Sequence, residues 1–120
     1  MSQHLAQFKE MIIRKPKPYR GLRLELQGKW LNDFGFSIGS MVNVHFQNGC
    51  LTLSTDPAAG NNVGVLLVNG KRVRGRTRPH LLIDEFIIRR LTSRIYERVG
   101  LTLTPNTIQI SVINQYTTKD

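Results

Sequence analysis

Residues 21–55, GLRLELQGKWLNDFGFSIGSMVNVHFQNGCLTLST, decide the fold. Leu22, Leu24 and Leu26 alternate with Arg23, Glu25 and Gln27, the period-two pattern of a strand buried on one face. Val42, Val44 and Phe46 alternate in the same way with Asn43, His45 and Gln47. Asn48-Gly49 then supplies two residues that tolerate positive φ, the signature of a two-residue hairpin loop. Such a loop pairs Gln47 with Cys50, Phe46 with Leu51, His45 with Thr52, Val44 with Leu53 and Asn43 with Ser54. Apolar meets apolar and polar meets polar at each step, and a slip of one residue would put the hydrophobic set on the wrong face.

Between these strands, Lys29-Trp30-Leu31-Asn32-Asp33-Phe34-Gly35-Phe36 reads as a tight turn or a single helical turn, with Gly35 and Gly39 as stops. Trp30, Phe34 and Phe36 are read as a plug in the core, because rings of this size bury large apolar areas. Base stacking is the competing role, and it requires exposed rings.

The spacing Leu24-x-Leu26-x-Gly28-x-Trp30-Leu31, then Gly35-Phe36-x-x-Gly39, Val42-x-Val44 and Gly49-Cys50-Leu51-x-Leu53, resembles the SymE toxin family over residues 22–55. That family is similar to the AbrB superfamily. The resemblance implies a small swapped-hairpin-like β-barrel formed by two chains. It also implies an RNA-binding toxin with endoribonuclease activity that reduces translation. Such toxins belong to type I toxin–antitoxin systems, linked to the SOS response and controlled by an antisense RNA. AbrB-like relatives imply the alternative, a non-catalytic DNA-binding homodimer acting as a transcriptional regulator or nucleoid-associated protein.

Outward from this segment, residues 1–20 form an N-terminal arm. Leu5, Phe8, Ile12 and Ile13 sit at rough helical spacing, and Arg14, Lys15, Lys17 and Arg20 surround Pro16 and Pro18. The arm is either solvated or laid along nucleic-acid phosphate. Residues 57–120 are read as completing the same domain, after a linker of turn-forming residues from Asp56 to Asn62. A hairpin is expected to turn at Asn69-Gly70, placing Leu66 opposite Val73 and Leu67 opposite Arg72. Arg72, Arg74, Arg76 and Arg78 then share one strand face, spaced by about 6.6 Å at about 3.3 Å per residue. This comb suits phosphate, since guanidinium groups fork onto its oxygens; its plainer role is protection of a sheet edge.

Residues 79–99 read as the one helix. Pro79 opens it, and Ile83, Ile87, Leu91 and Ile95 form its stripe. Gly100 ends it, and Glu85 pairs with Arg89 one turn on. Leu82 and Phe86 fall outside the stripe, an apolar patch that suits a second subunit or an interaction module. A last hairpin turns at Pro105-Asn106, pairing Leu103 with Ile108 and Leu101 with Ile110. The expected fold is therefore mainly β with one α-helix.

Seventeen Lys and Arg against eight Asp and Glu give a net charge of +9, which points to a polyanionic partner, RNA or DNA. A single cysteine, Cys50, leaves no internal disulfide, and no apolar run is long enough for a membrane span. A cytoplasmic protein without a membrane partner is expected. His4, His45 and His80 lie on separate elements, so no metal-ligand spacing appears and neither metal nor cofactor is expected. RNA cleavage without metal needs a base, an acid and a cation for the phosphorane charge. His45 and His80 are the candidates, against an ordinary surface or capping role for each.

Overall fold

A computed structural model describes residues 7–13, 21–56, 62–92 and 97–113. In chain order the elements are β1 (Gln7–Ile12), β2 (Leu24–Gln27), α1 (Trp30–Asp33), β3 (Met41–Gln47), β4 (Cys50–Ser54) and β5 (Asn62–Leu67). There follow β6 (Asn69–Val73), β7 (Arg76–Ile83), α2 (Glu85–Ile88), β8 (Arg98–Thr104) and β9 (Thr107–Val112). They form a six-stranded sheet in the order β1-β8-β9-β4-β3-β5 and a three-stranded sheet in the order β2-β7-β6. Every described pairing is antiparallel.

The protein is mainly β, as its alternating sequence dictates. One core joins the two sheets. Val42, Val44, Leu51, Leu53, Leu101, Leu103, Ile108 and Ile110 come from the larger sheet, and Leu24, Leu26, Leu81 and Ile83 from the smaller. The barrel expected from the resemblance is not closed by the described strands of one chain, because β1 and β5 end the six-stranded sheet without a further partner.

The β3–β4 hairpin has the register expected from its loop, from Asn43 opposite Ser54 to Gln47 opposite Cys50. Asn48 at φ 55° and Gly49 at φ 74° provide the left-handed turn that matches strand twist. The β8–β9 hairpin likewise pairs Leu103 with Ile108 and Leu101 with Ile110. The single turn α1 carries the aromatic plug: Phe34 and Phe36 are buried, and Trp30 is half-buried with Nε1 donating to the Gln27 carbonyl at 3.0 Å. Asn106 N donates to the Phe34 carbonyl at 2.7 Å, tying this turn to the last hairpin.

Three expectations are corrected. Residues 7–12 are not a helical turn but strand β1, paired with β8 from Gln7–Leu103 to Ile12–Arg98. The middle hairpin does not turn at Asn69-Gly70. Instead β5 pairs back onto β3, Val68 N donates to the Ser40 carbonyl, and the chain enters β6 extended. The turn falls at Arg74 (φ 52°) and Gly75 (φ 79°), pairing Val73 with Arg76 and Arg72 with Thr77.

The long helix over 79–99 is also absent. Residues 79–83 complete β7, α2 is a single turn capped by the Asp84 carboxylate on Ile87 N, and Arg98 opens β8; residues 93–96 lie outside the described residues. Pro79 is accommodated within the middle strand of its sheet for a local reason. Its carbonyl accepts from Gly28 N at 3.1 Å, so its nitrogen faces the same neighbour, where β2 has just ended. The Gly28 carbonyl, which a donor at position 79 would have met, accepts from Leu31 N of α1 instead. Glu85 and Arg89 form the expected ion pair.

Candidate nucleic-acid interface

Antiparallel partners share a face, so the registers of β2, β7 and β6 fix which side chains point away from the core. Glu25 lies opposite Leu82 and Gln27 opposite His80. Asn69 lies opposite His80, Lys71 opposite Arg78 and Val73 opposite Arg76. The outer face of the small sheet therefore gathers Arg23, Glu25, Lys71, Arg76, Arg78 and His80, with its inner face occupied by Leu24, Leu26, Leu81 and Ile83.

This arrangement breaks the arginine comb and replaces it with a cluster. Arg76 and Arg78 stay together on β7, while Arg72, opposite Thr77, points to the other face and Arg74 sits in the turn. Arg72, Arg74 and Arg76 are exposed and crown the hairpin tip, and Arg78 is half-buried. Arg14, Lys15, Lys17 and Arg20, expected on the basic arm, lie outside the described residues.

One carboxylate stands among these cations. Glu25 Oε1 is 3.6 Å from His80 Nε2 and 3.9 Å from Lys71 Nζ, and Oε2 is 4.0 Å from Arg23 Nη1. Glu25 is distant from the arginines along the chain and reaches them only through the β2–β7 pairing. Arg78 Nε and His80 Nε2 are buried with no hydrogen-bond partner. A buried guanidinium donor without a partner carries a desolvation cost that an anion or an ordered water relieves.

The two histidines are not brought together. His80 is in β7 of the small sheet, whereas His45 is in β3, half-buried and opposite Thr52 on the larger sheet's outer face. Trp30 offers no stacking platform facing solvent alone: its ring is covered by Lys9 Nζ, 4.8 Å from the centroid. Among the described residues no three His, Cys, Asp or Glu side chains converge as metal ligands, and no helix is long and apolar enough to cross a membrane.

The family described as "Toxin SymE, type I toxin-antitoxin system" matches residues 15–55. These residues are a SymE-like segment. An "Endoribonuclease SymE" of Shigella flexneri serotype 5b (strain 8401) is 31% identical over 74 residues, covering 62% of this chain and 66% of that protein. An "Endoribonuclease SymE" of Salmonella paratyphi C (strain RKS4594) is 42% identical over 41 residues, covering 34% of this chain and 37% of that protein. The chain thus spans just under two thirds of the Shigella relative's length. No solved structure matches. The SymE-like segment supplies β2 with Arg23 and Glu25, the α1 plug and the β3–β4 hairpin; Lys71, Arg76, Arg78 and His80 follow it in the chain.

Proposed function

We propose that this chain is a SymE-like toxin that binds RNA on the outer face of the β2-β7-β6 sheet, cuts it, and so reduces translation. The observation that carries the reading is the cation cluster of Arg23, Lys71, Arg76 and Arg78, with the Arg78 Nε donor buried and unsatisfied among them. Phosphate is the ligand whose oxygens suit such donors. The SymE-like segment and the relatives named as endoribonucleases favour RNA over other polyanions. A cytoplasmic location and control by an antisense RNA are part of the same reading.

A homodimer also belongs to it. The edge strand β5 exposes Val65 and Leu67 beside Met41 of β3, an apolar edge that carries no charge to keep a second chain away.

The test is binding of fluorescent RNA, single-stranded DNA and duplex DNA across a salt series, with cleavage read in parallel. RNA binding steeper in salt than a neutral control, accompanied by RNA cleavage, is the expected result. In Arg76→Gln/Arg78→Gln the slope of log K against log salt should fall by about 1.4 units, at about 0.7 per single-strand phosphate contact. Tight duplex-DNA binding with RNA left intact would instead establish the DNA-binding regulator.

A further inference from the structure

We propose that Glu25 is the general base of RNA cleavage and that His80 holds it in place, so that the ribonuclease centre lies within the basic face itself. This rests on the ribonuclease reading above and names the groups that carry it out. Among the described residues Glu25 is the lone carboxylate on the outer face of the small sheet, beside Arg23, Lys71, Arg76 and Arg78, and its side chain is 39% exposed, against 15% for His80. The carboxylate is thus the accessible member of the pair and the imidazole the one behind it. The other groups facing this pair are Arg23 on β2, Lys71 and Asn69 on β6, and Arg78 on β7.

The chemistry that this arrangement serves is attack by a ribose 2′-hydroxyl on the adjacent phosphodiester. Glu25 takes the proton of the 2′-hydroxyl as the 2′-oxygen bonds to phosphorus. The bond from phosphorus to the 5′-oxygen breaks, and that oxygen takes a proton from water. The hydroxide so formed recovers the proton from Glu25, closing the balance. Lys71 and Arg78, next to each other across β6 and β7, hold the phosphorane oxygens as their negative charge grows. The products are a 2′,3′-cyclic phosphate and a 5′-hydroxyl, and the substrate must be RNA because the nucleophile is the 2′-hydroxyl. His80 acts through Glu25 and is a positioning residue. Its Nε2 has no hydrogen-bond partner and lies 3.6 Å from Oε1, a small side-chain shift away from the hydrogen bond that would hold the carboxylate against the pull of Lys71 on the same oxygen.

The test uses the full chain with an RNA oligonucleotide and the same oligonucleotide carrying one 2′-deoxy nucleotide at the scissile position. In Glu25→Gln we expect turnover at saturating RNA to fall by about 100-fold or more, the usual weight of a positioned base, with RNA bound as tightly or more tightly. Glu25→Asp should recover part of the rate. His80→Gln should lower kcat by about tenfold with KM unchanged. Wild-type turnover in Glu25→Gln, products ending in 5′-phosphate, or cutting of the 2′-deoxy substrate would each overturn the assignment while leaving a ribonuclease. A wild-type protein that binds RNA without cutting it would overturn the ribonuclease reading and this assignment together.

Discussion

The two sheets share a core but present opposite chemistry to solvent. The small sheet turns Arg23, Glu25, Lys71, Arg76, Arg78 and His80 outward, and the β6–β7 hairpin tip adds Arg72 and Arg74. Across β3, β4 and β9 the larger sheet turns outward Asn43, His45, Gln47, Cys50, Thr52, Ser54, Thr107, Gln109 and Ser111, without a single Lys, Arg, Asp or Glu. Of the charges on the larger sheet's described strands, Glu10 and Arg98 pair with each other and Lys9 lies over the Trp30 ring. Identical alternation thus builds both scaffolds, and only the outward residues make one face cationic and the other neutral.

The largest effects should test whether the two faces rest on one foundation. Leu53→Ala in the large sheet and Leu81→Ala in the small one each remove a fully buried side chain, and each should cost about 2–5 kcal/mol in denaturant unfolding. A small loss for Leu81→Ala alone would show that the small sheet is only loosely attached. The turns come next. Gly49 and Gly75 have open space where a Cβ would go, so alanine there meets only the left-handed backbone penalty, about 1 kcal/mol. At Gly35 (φ 91°) a Cβ would also run into the Asn106 side chain. Gly35→Ala should therefore lose more stability than Gly49→Ala in the same measurement, and a reversed order would break the link between the α1 turn and the last hairpin.

Binding contrasts should follow. Arg76→Gln/Arg78→Gln should weaken RNA binding by about tenfold or more at low salt, through two lost phosphate contacts. Arg98→Gln removes one charge, against two in the double variant, from a residue already paired with Glu10 and should change affinity less than twofold, close to its long-range share alone. Equal losses of binding free energy per charge removed in the two variants, read by fluorescence anisotropy, would mean that net charge matters and position does not.

Legibility in the sequence followed the range of the contacts. The β3–β4 and β8–β9 hairpins could be read to the residue because a two-residue loop fixes its own register. Asn69-Gly70 carried the same signal and misled. Neither residue has positive φ; Gly70 is needed for space, since a Cβ there would press on Thr77 Cγ2 at 2.8 Å and Ile38 Cδ1 at 3.3 Å. The real turn begins at Arg74, a residue with no left-handed preference, and only Gly75 marked it.

Leu81, Ile83, Ile87 and Ile88 fit a helical stripe, yet they divide between a strand of period two and a single capped turn. Pro79 strengthened the wrong choice, because its tolerance within β7 depends on Gly28 and Leu31 on other elements. The basic face suffered most from this. Arg76 and Arg78 were visible as charges, but Glu25 and Lys71 join them only once β2 and β6 flank β7.

The most direct measurement is an NMR titration of the protein with a short RNA, following backbone amides on both sheets. Binding at the small sheet predicts shifts concentrated at Arg23–Glu25 and from Lys71 to His80, with Asn43–Ser54 and Thr107–Ser111 left in place. Shifts concentrated on β3, β4 and β9, or spread evenly over both sheets, would contradict the assignment of the nucleic acid to the β2-β7-β6 face.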